Sequence, residues 1–518
     1  MLDSLLSFDG GLTLLAPFVA IALALATKRI LPSLGLAAVA GALVATDLDP
    51  IDAFVLLLGI VRDVVWSGEH LTISGFSIAV AAMVGLLGRA GATRSLVKLV
   101  ERVARGRRGA MTASWLGGGL VFFDDYANCL VVGSSMGPLC DRFRVSRAKL
   151  AYIVDATAAP IASLALVSTW VGYEVGQIGE ALPPGSGVQP FELFLGALPY
   201  RFYCLFTIVF VGAIALSGRD FGPMWHAESR AINEPREPRK AKTSGASAPA
   251  WVAALPVLAL VVGTFALLYQ NGAASLGAAA ADARLFEILG AVEDPYTPML
   301  LGSLGALALA LAFVLGARTL APLAALDAMW DGGKAVLQAL AVLYLAWTLG
   351  DVIDACGAGE FLKTLVAGRL PPALLPLLTF LLAALTAFST GSSFFTMGAL
   401  IPLVVPLAFA LDGGAMGPVL LASTAAVLDG AVLGDHASPI SDTTVLSALG
   451  SGVDVLTHVR TQLPYALTAG AVAVLVGSLP AGFGVTPWVL VPLGALACVG
   501  VVLVVGRPHT AAEPAQAA

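Results

Sequence analysis

The chain has 518 residues, 58% of them hydrophobic and only 12% charged, with a formal net charge of −6. Its mean hydropathy is +0.89, which excludes a soluble globular protein and points to a polytopic helical membrane protein. The five cysteines lie mostly in or beside apolar segments, so no disulfide framework is expected.

The first apolar run, Leu12 to Thr27, ends at Lys28-Arg29. No basic region precedes it, so no cleaved signal peptide is expected. Ile30 to Thr46 is a second crossing and ends in Asp47, Asp49 and Asp52. Residues 53–70 mix Arg62, Asp63, Glu69 and His70 with aliphatics, which suits an interfacial or partly re-entrant stretch better than a clean span. Ile73 to Gly88 is the next crossing. The basic loop after it, Arg89 to Arg108, marks the cytoplasmic side.

Residues 110–137 are apolar at both ends, with Phe122-Phe123-Asp124-Asp125-Tyr126-Ala127-Asn128 between them. Arg142, Arg144, Arg147 and Lys149 follow, so both flanks are basic. The segment is too short for two spans of roughly 20 residues each. It reads as a re-entrant hairpin with Asp124 and Asp125 near the tip. Leu150 to Glu174 crosses outward and carries Asp155 and a break at Thr157 to Pro160. Residues 200–217 return inward. The stretch 218–250, with Pro, Ser and Glu among its Arg and Lys, reads as a disordered cytoplasmic linker between two halves.

In the second half, Trp251 to Tyr269, Met299 to Ala317 and Ala335 to Ile353 are crossings. Residues 372–411 form a second hairpin around Ser389-Thr390-Gly391-Ser392-Ser393-Phe394, entered from the opposite side. Met416 to Leu449 carries the second break, Asp435-His436-Ala437-Ser438-Pro439-Ile440-Ser441-Asp442. Residues 462–482 and 486–506 complete the membrane part, and the tail after Arg507 reads as unstructured. The expected fold is therefore all-α, with about eleven transmembrane helices plus two re-entrant hairpins in two inverted-topology repeats. The divisions are 1–72 for the N-terminal helices and interfacial segment, 73–217 for the first repeat, and 218–250 for the linker. The second repeat covers 251–482, and 483–518 holds the last helix and tail. The N-terminus is expected outside, the C-terminus in the cytoplasm. Arg62, Arg201, Arg284, Lys363 and Arg369 are the exceptions to the charge rule.

The breaks carry the chemistry. An aspartate in hydrocarbon costs at least about 2.5–3.5 kcal/mol, yet Asp124, Asp125, Asp155, Asp429, Asp435 and Asp442 all fall at apolar depth. Almost no Lys or Arg is expected at matching depth, which leaves bound cations or shared protons. Sodium takes hard oxygen ligands: carboxylates, hydroxyls and carbonyls freed where a helix breaks. Asp155 and Asp435 are the candidate sodium-binding carboxylates. Thr157, Asn128, Ser438, Asp442 and Thr443 are their neighbours, and Ser392 and Ser393 lie at the second hairpin tip. Asp124, Asp125 and His436 are candidates for proton relay or hairpin support, with a neutral hydrogen-bonding role equally open to His436. Asp429 reads as either functional or an interhelical hydrogen-bond partner. Glu174, near Trp170, suits the outer interface, and Asp351 and Asp354 receive no role. An intramembrane aspartyl protease would need Gly-x-Gly-Asp, but Val432-Leu433-Gly434 precedes Asp435.

These segments resemble the NhaC-type sodium/proton antiporter family of the ion transporter superfamily. The resemblance rests on Phe122 to Asn128, Ser146 to Asp155, Ser168-Thr169-Trp170, Gly434 to Thr444 and Thr461-Gln462-Leu463-Pro464-Tyr465. It implies two inverted repeats, each with a hairpin and a broken helix, and a homodimer. The sequence departs from the family at Phe394, where many members have Trp, and at Gly137, where many have Arg. The expected activity is sodium/proton exchange by alternating access, with sodium and protons competing for intramembrane aspartates. The alternatives are sodium-coupled transport of a small carboxylate or amino acid, and a passive ion channel. Sodium, protons, membrane lipid and a small organic solute are the expected partners, with no cofactor and no nucleic acid. The expected location is a bacterial inner membrane.

Overall fold

The computed structural model describes residues 12–13, 15–27, 29–101, 104–233, 248–357, 361 and 371–509. Lys363, Arg369, the Pro-rich centre of the linker and the last nine residues of the tail lie outside the described residues. Nearly everything described is helix. Among the described residues nine helices are long and apolar enough to cross a membrane, or ten if the bent pair Pro190–Tyr200 and Phe202–Ser217 is one span. Two of the nine are the arms of the second hairpin, Pro372–Thr390 and Ser393–Leu411, each 19 residues long. The outer surface is rich in exposed Leu, Val and Trp, with Val504 85% exposed. A soluble monomer rarely presents such continuous apolar surface, whereas lipid requires it.

Both hairpins and both breaks have local causes. The first hairpin runs down the helix Gly106–Leu120, turns at residues 121–124 and returns through Asp125–Ala127, a π-helical turn at Asn128–Val132, and Gly133–Arg142. Asp124 caps the return: its Oδ1 accepts from the Ala127 amide at 2.6 Å. The second hairpin turns at Gly391, whose φ of +69° lies in the left-handed region. A Cβ there would stand 2.8 Å from the Ile440 carbonyl oxygen, so glycine also lets the tip touch the second break. Ser392 caps the return arm by accepting from the Phe395 amide at 3.2 Å.

The expected outward crossing from Leu150 to Glu174 is three short helices: Arg147–Asp155, Ala159–Leu164 and Val171–Ala181. Pro160 lacks the amide proton that would continue the first of them. The second broken helix is Pro418–Ala437 followed by Asp442–Ser451, the latter capped by Ser441. Its long half packs along the first arm of the second hairpin, and Asp442–Ser451 packs on Arg147–Asp155. The two breaks therefore meet.

Part of the stretch read as disordered is folded. Arg219–Asp220 pairs antiparallel with Arg507–Pro508, and Gly222–Asn233 is a helix. The cause is charge burial. Asp220 is ion-paired with Lys149 and Glu228 with Arg107, and both acids are fully buried. The start of the tail is likewise held, with His509 Nε2 2.9 Å from Asp220 Oδ2.

Candidate functional site

Asp155 ends the half-helix Arg147–Asp155 and is fully buried. Its Oδ2 accepts from Gln462 Nε2 at 2.6 Å and Thr444 Oγ1 at 3.2 Å, and His458 Nε2 lies 3.3 Å away. Its Oδ1 accepts from Ser447 Oγ at 3.2 Å. The donors come from both the second broken helix and the following helix, Val455–Val472. His458 and Gln462 stand four residues apart and so share one helical face.

Asp435 sits at the other break and is surrounded by hydroxyls. It accepts from Ser441 Oγ at 2.7 Å and from Thr443 Oγ1 at 2.5 Å. Thr444 Oγ1 lies 3.2 Å from both the Asp155 carboxylate and the Asp435 backbone carbonyl, so one hydroxyl joins the first carboxylate to the backbone of the second break. Asp442 is the exposed member of the group. It accepts from the Tyr126 hydroxyl of the first hairpin and from the Thr443 amide at 2.9 Å. Among the described residues no three His, Cys, Asp or Glu side chains converge as a metal-binding group. A transported cation here would have to draw on hydroxyl and carbonyl oxygens as well.

The other predicted residues divide. His436 is buried with Nε2 3.1 Å from the Asp155 carbonyl and Nδ1 2.9 Å from the Tyr203 hydroxyl. A neutral ring with the proton on Nε2 satisfies both contacts. Asn128 and Thr157 form the joint between hairpin and break. Asn128 Nδ2 donates to the Gly118 carbonyl at 2.8 Å and the Thr157 carbonyl at 2.9 Å. The Thr157 hydroxyl donates back to Ile153 at 2.8 Å. Gly118 faces Thr157 so closely that a Cβ would collide with it, so glycine at 118 is a packing requirement. Ser438 Oγ accepts from the Ile440 amide at 3.4 Å and shapes the turn. Ser393 Oγ donates to the Ala431 carbonyl at 3.2 Å and docks the second hairpin tip on the second broken helix. Neither Ser392 nor Ser393 is hydrogen-bonded to Asp155 or Asp435.

One basic residue, Arg201, does stand beside the carboxylates at apolar depth, and Lys149 is buried at the flank expected to be cytoplasmic. Arg201 is fully buried; its Nε lies 2.9 Å from Asp429 and its Nη1 3.4 Å from Glu174. Glu174 is thus an interior residue, not an interfacial one, and Asp429 is a structural ion-pair partner that also accepts from the Tyr203 amide at 2.6 Å. Lys149 pairs with Asp220, which also accepts from Tyr465 at 2.5 Å. Burial pushes the Asp220 carboxyl up, but the Lys149 ammonium and bonds from His509, Lys149 and Tyr465 outweigh it and hold it below the usual carboxylate range.

Two cavities adjoin the site. One of about 750 Å³ reaches the second break at Pro439 and is lined by Pro223, His226, Arg230, Arg460 and Thr461. Another of about 210 Å³ lies against the first hairpin tip.

Two broken helices meeting carboxylate to break, beneath hairpins of a multi-pass helical protein, define a secondary transporter. Residues 161–479 match the Na+/H+ antiporter family, and the chain belongs to that family. It is 33% identical over 491 residues, 93% of each chain, to an uncharacterized protein of Haemophilus influenzae. It is 35% identical over 132 residues to the malate-2H(+)/Na(+)-lactate antiporter of Bacillus subtilis, covering 25% of this chain and 27% of that one. Its fold is similar to that of the YdaH transporter of Alcanivorax borkumensis, with a TM-score of 0.57 at 19% identity, over 84% of this chain and 90% of that one.

His458, Gln462, Ser447 and Arg201 escaped the sequence reading as site residues. The signals were the Thr461 to Tyr465 motif for Gln462, the exception to the charge rule for Arg201, and the helical face that His458 shares with Gln462 and Tyr465.

Proposed function

We propose that this protein exchanges sodium for protons, with the two tasks divided between the two breaks. Asp435, with Ser441, Thr443 and the exposed Asp442, is the sodium side: its neighbours are hydroxyls, whose lone pairs can turn to a cation. Asp155 is the proton side: it faces the imidazole of His458 and the amide of Gln462. The observation that carries this reading is the Thr444 hydroxyl, within 3.2 Å of both the Asp155 carboxylate and the Asp435 backbone. Occupancy of one break is then felt at the other. The reading sets the basic surface in the cytoplasm of a bacterial inner membrane, with the N-terminus outside. It takes the working unit as a homodimer that needs no cofactor.

The test uses purified protein in sealed vesicles with an internal pH dye and an acid interior. External sodium should alkalinise the interior, and Asp155→Asn and Asp435→Asn should each abolish the response. A correctly inserted protein that never moves protons in response to sodium would sink the exchanger. Coupled transport of an organic solute is the second reading, favoured by the 210 Å³ cavity beside the first hairpin.

A further inference from the structure

The cavity at the first hairpin tip has a definite chemistry. Its polar lining includes Asp124, Asp125 and Tyr126, and its apolar lining Val84, Leu340 and Leu343. Tyr173 and Phe394 complete it from other elements. No lysine or arginine among the described residues lines it. At about 210 Å³ it exceeds the roughly 150 Å³ of an engineered cavity that takes up benzene. A bare sodium ion needs no such space.

Asp125 is 3% exposed, and its Oδ2 receives no hydrogen bond. The Trp170 indole N–H, itself without another partner, acts on this carboxylate, but its single proton leaves further lone pairs of Asp125 open to a donor. The nearby aromatic rings are held in place. The Tyr173 hydroxyl donates to the Phe394 carbonyl at 2.5 Å, and the Tyr173 and Phe394 rings meet edge to face with centroids 4.7 Å apart. Trp170 backs Phe394 at 5.0 Å. Fixed aromatic faces beside carboxylates attract a cation twice, by charge and by the ring quadrupole.

We infer that this cavity binds a small organic monocation, a protonated amine on an apolar or aromatic body. The ammonium sits at Asp125 and Asp124, and the body lies against Phe394 and the Val84 wall. The sign is opposite to that of the small carboxylate named among the alternatives for this chain. Asn128, close to the same hairpin tip, spends its amide on backbone carbonyls. The cavity lies between the helix Gly68–Arg89 and the two hairpin tips, and its Tyr126 donates to Asp442 beside the other break. The amine site is thereby linked to the proposed sodium side.

The experiment measures binding by calorimetry to purified protein in sodium-free potassium buffer, with no gradient, so it does not depend on antiport. Three probes share one body and differ in charge: benzylammonium, benzyl alcohol and benzoate. Benzylammonium should bind saturably, with a dissociation constant in the millimolar range or tighter, at least about tenfold below those of the other two. Asp125→Asn and Phe394→Ala should each weaken it at least about fivefold. Should Asp125→Asn fail to fold, Val84→Phe fills the cavity from the helix Gly68–Arg89, keeps both carboxylates, and should abolish binding. Equal or tighter binding of benzoate or benzyl alcohol overturns the inference. So does no saturable benzylammonium binding, or undiminished binding in Val84→Phe.

Discussion

Replacing Arg201 with leucine tests whether the interior carboxylates are held by charge. The guanidinium stands 2.9 Å from Asp429 and 3.4 Å from Glu174, with all three side chains buried. At an effective dielectric constant of about 20, each contact is worth about 5 kcal/mol of attraction before desolvation is charged against it. Arg201→Leu leaves two carboxylates in an apolar interior without a counter-ion. Removing one partner of such a group costs about 3–5 kcal/mol, most of it the penalty of the orphaned charge. The loss should appear as a lower unfolding midpoint in mixed micelles, followed by tryptophan fluorescence. The triple variant Arg201→Leu/Glu174→Gln/Asp429→Asn removes the orphan charges and should recover at least half of it. A loss under about 1 kcal/mol in the single variant, or a triple variant less stable than the single, would refute the charge argument.

Thr444→Val keeps the shape of the side chain and deletes the hydroxyl between the two breaks. A hydrogen bond to a charged group is worth about 1.5–3 kcal/mol, so sodium-dependent proton movement in vesicles should fall at least about tenfold while the protein stays folded. Gly391→Ala forces a left-handed backbone on an L-residue, a cost of about 1–2 kcal/mol before its collision with Ile440. The thermal midpoint should fall, and an unchanged midpoint would show that the second hairpin tip is not packed as described. Asp220 has its carboxyl held below the ordinary range, so its contribution is complete above about pH 3.9 and is lost as pH falls through the lower folded value. Trp225 stacks on His509 beside this group. Its fluorescence should therefore report release of the helix Gly222–Asn233 on acidification, and Asp220→Asn should show the released signal at neutral pH.

The breaks and hairpin tips were legible because polar residues inside an apolar run have few reasons to be there. Asp124, Asp155 and Asp435 were all located that way, and the pairing of the halves anticipated that the two breaks would meet. What stayed hidden depends on partners far along the chain. Arg201 opens an apolar run and so reads as interfacial; only the fold brings Asp429 and Glu174 to it. His458 and Gln462 lie on a helix that otherwise resembles an ordinary crossing. The stretch after Ser217 has the composition of a linker, yet Asp220 and Glu228 fold its beginning by reaching Lys149 and Arg107.

The polar residues of the breaks also do different work. A helix that stops inside a membrane exposes amides and carbonyls that water cannot reach, and these must be satisfied internally. Asp124, Ser392 and Ser441 accept from the first amides of the helices that resume. Asn128 takes up the carbonyls that the first break frees. Those residues are structural requirements of a broken helix, whatever the protein carries. Asp125, Asp155 and Asp435 are left over: none of them caps a helix, and all three are buried. Their cost has no structural offset of that kind, which is why the proposed exchange and the proposed amine site are placed on them. A substitution at a cap should lower stability first and transport as a consequence. A substitution at one of the three should alter transport or binding in a protein that still folds.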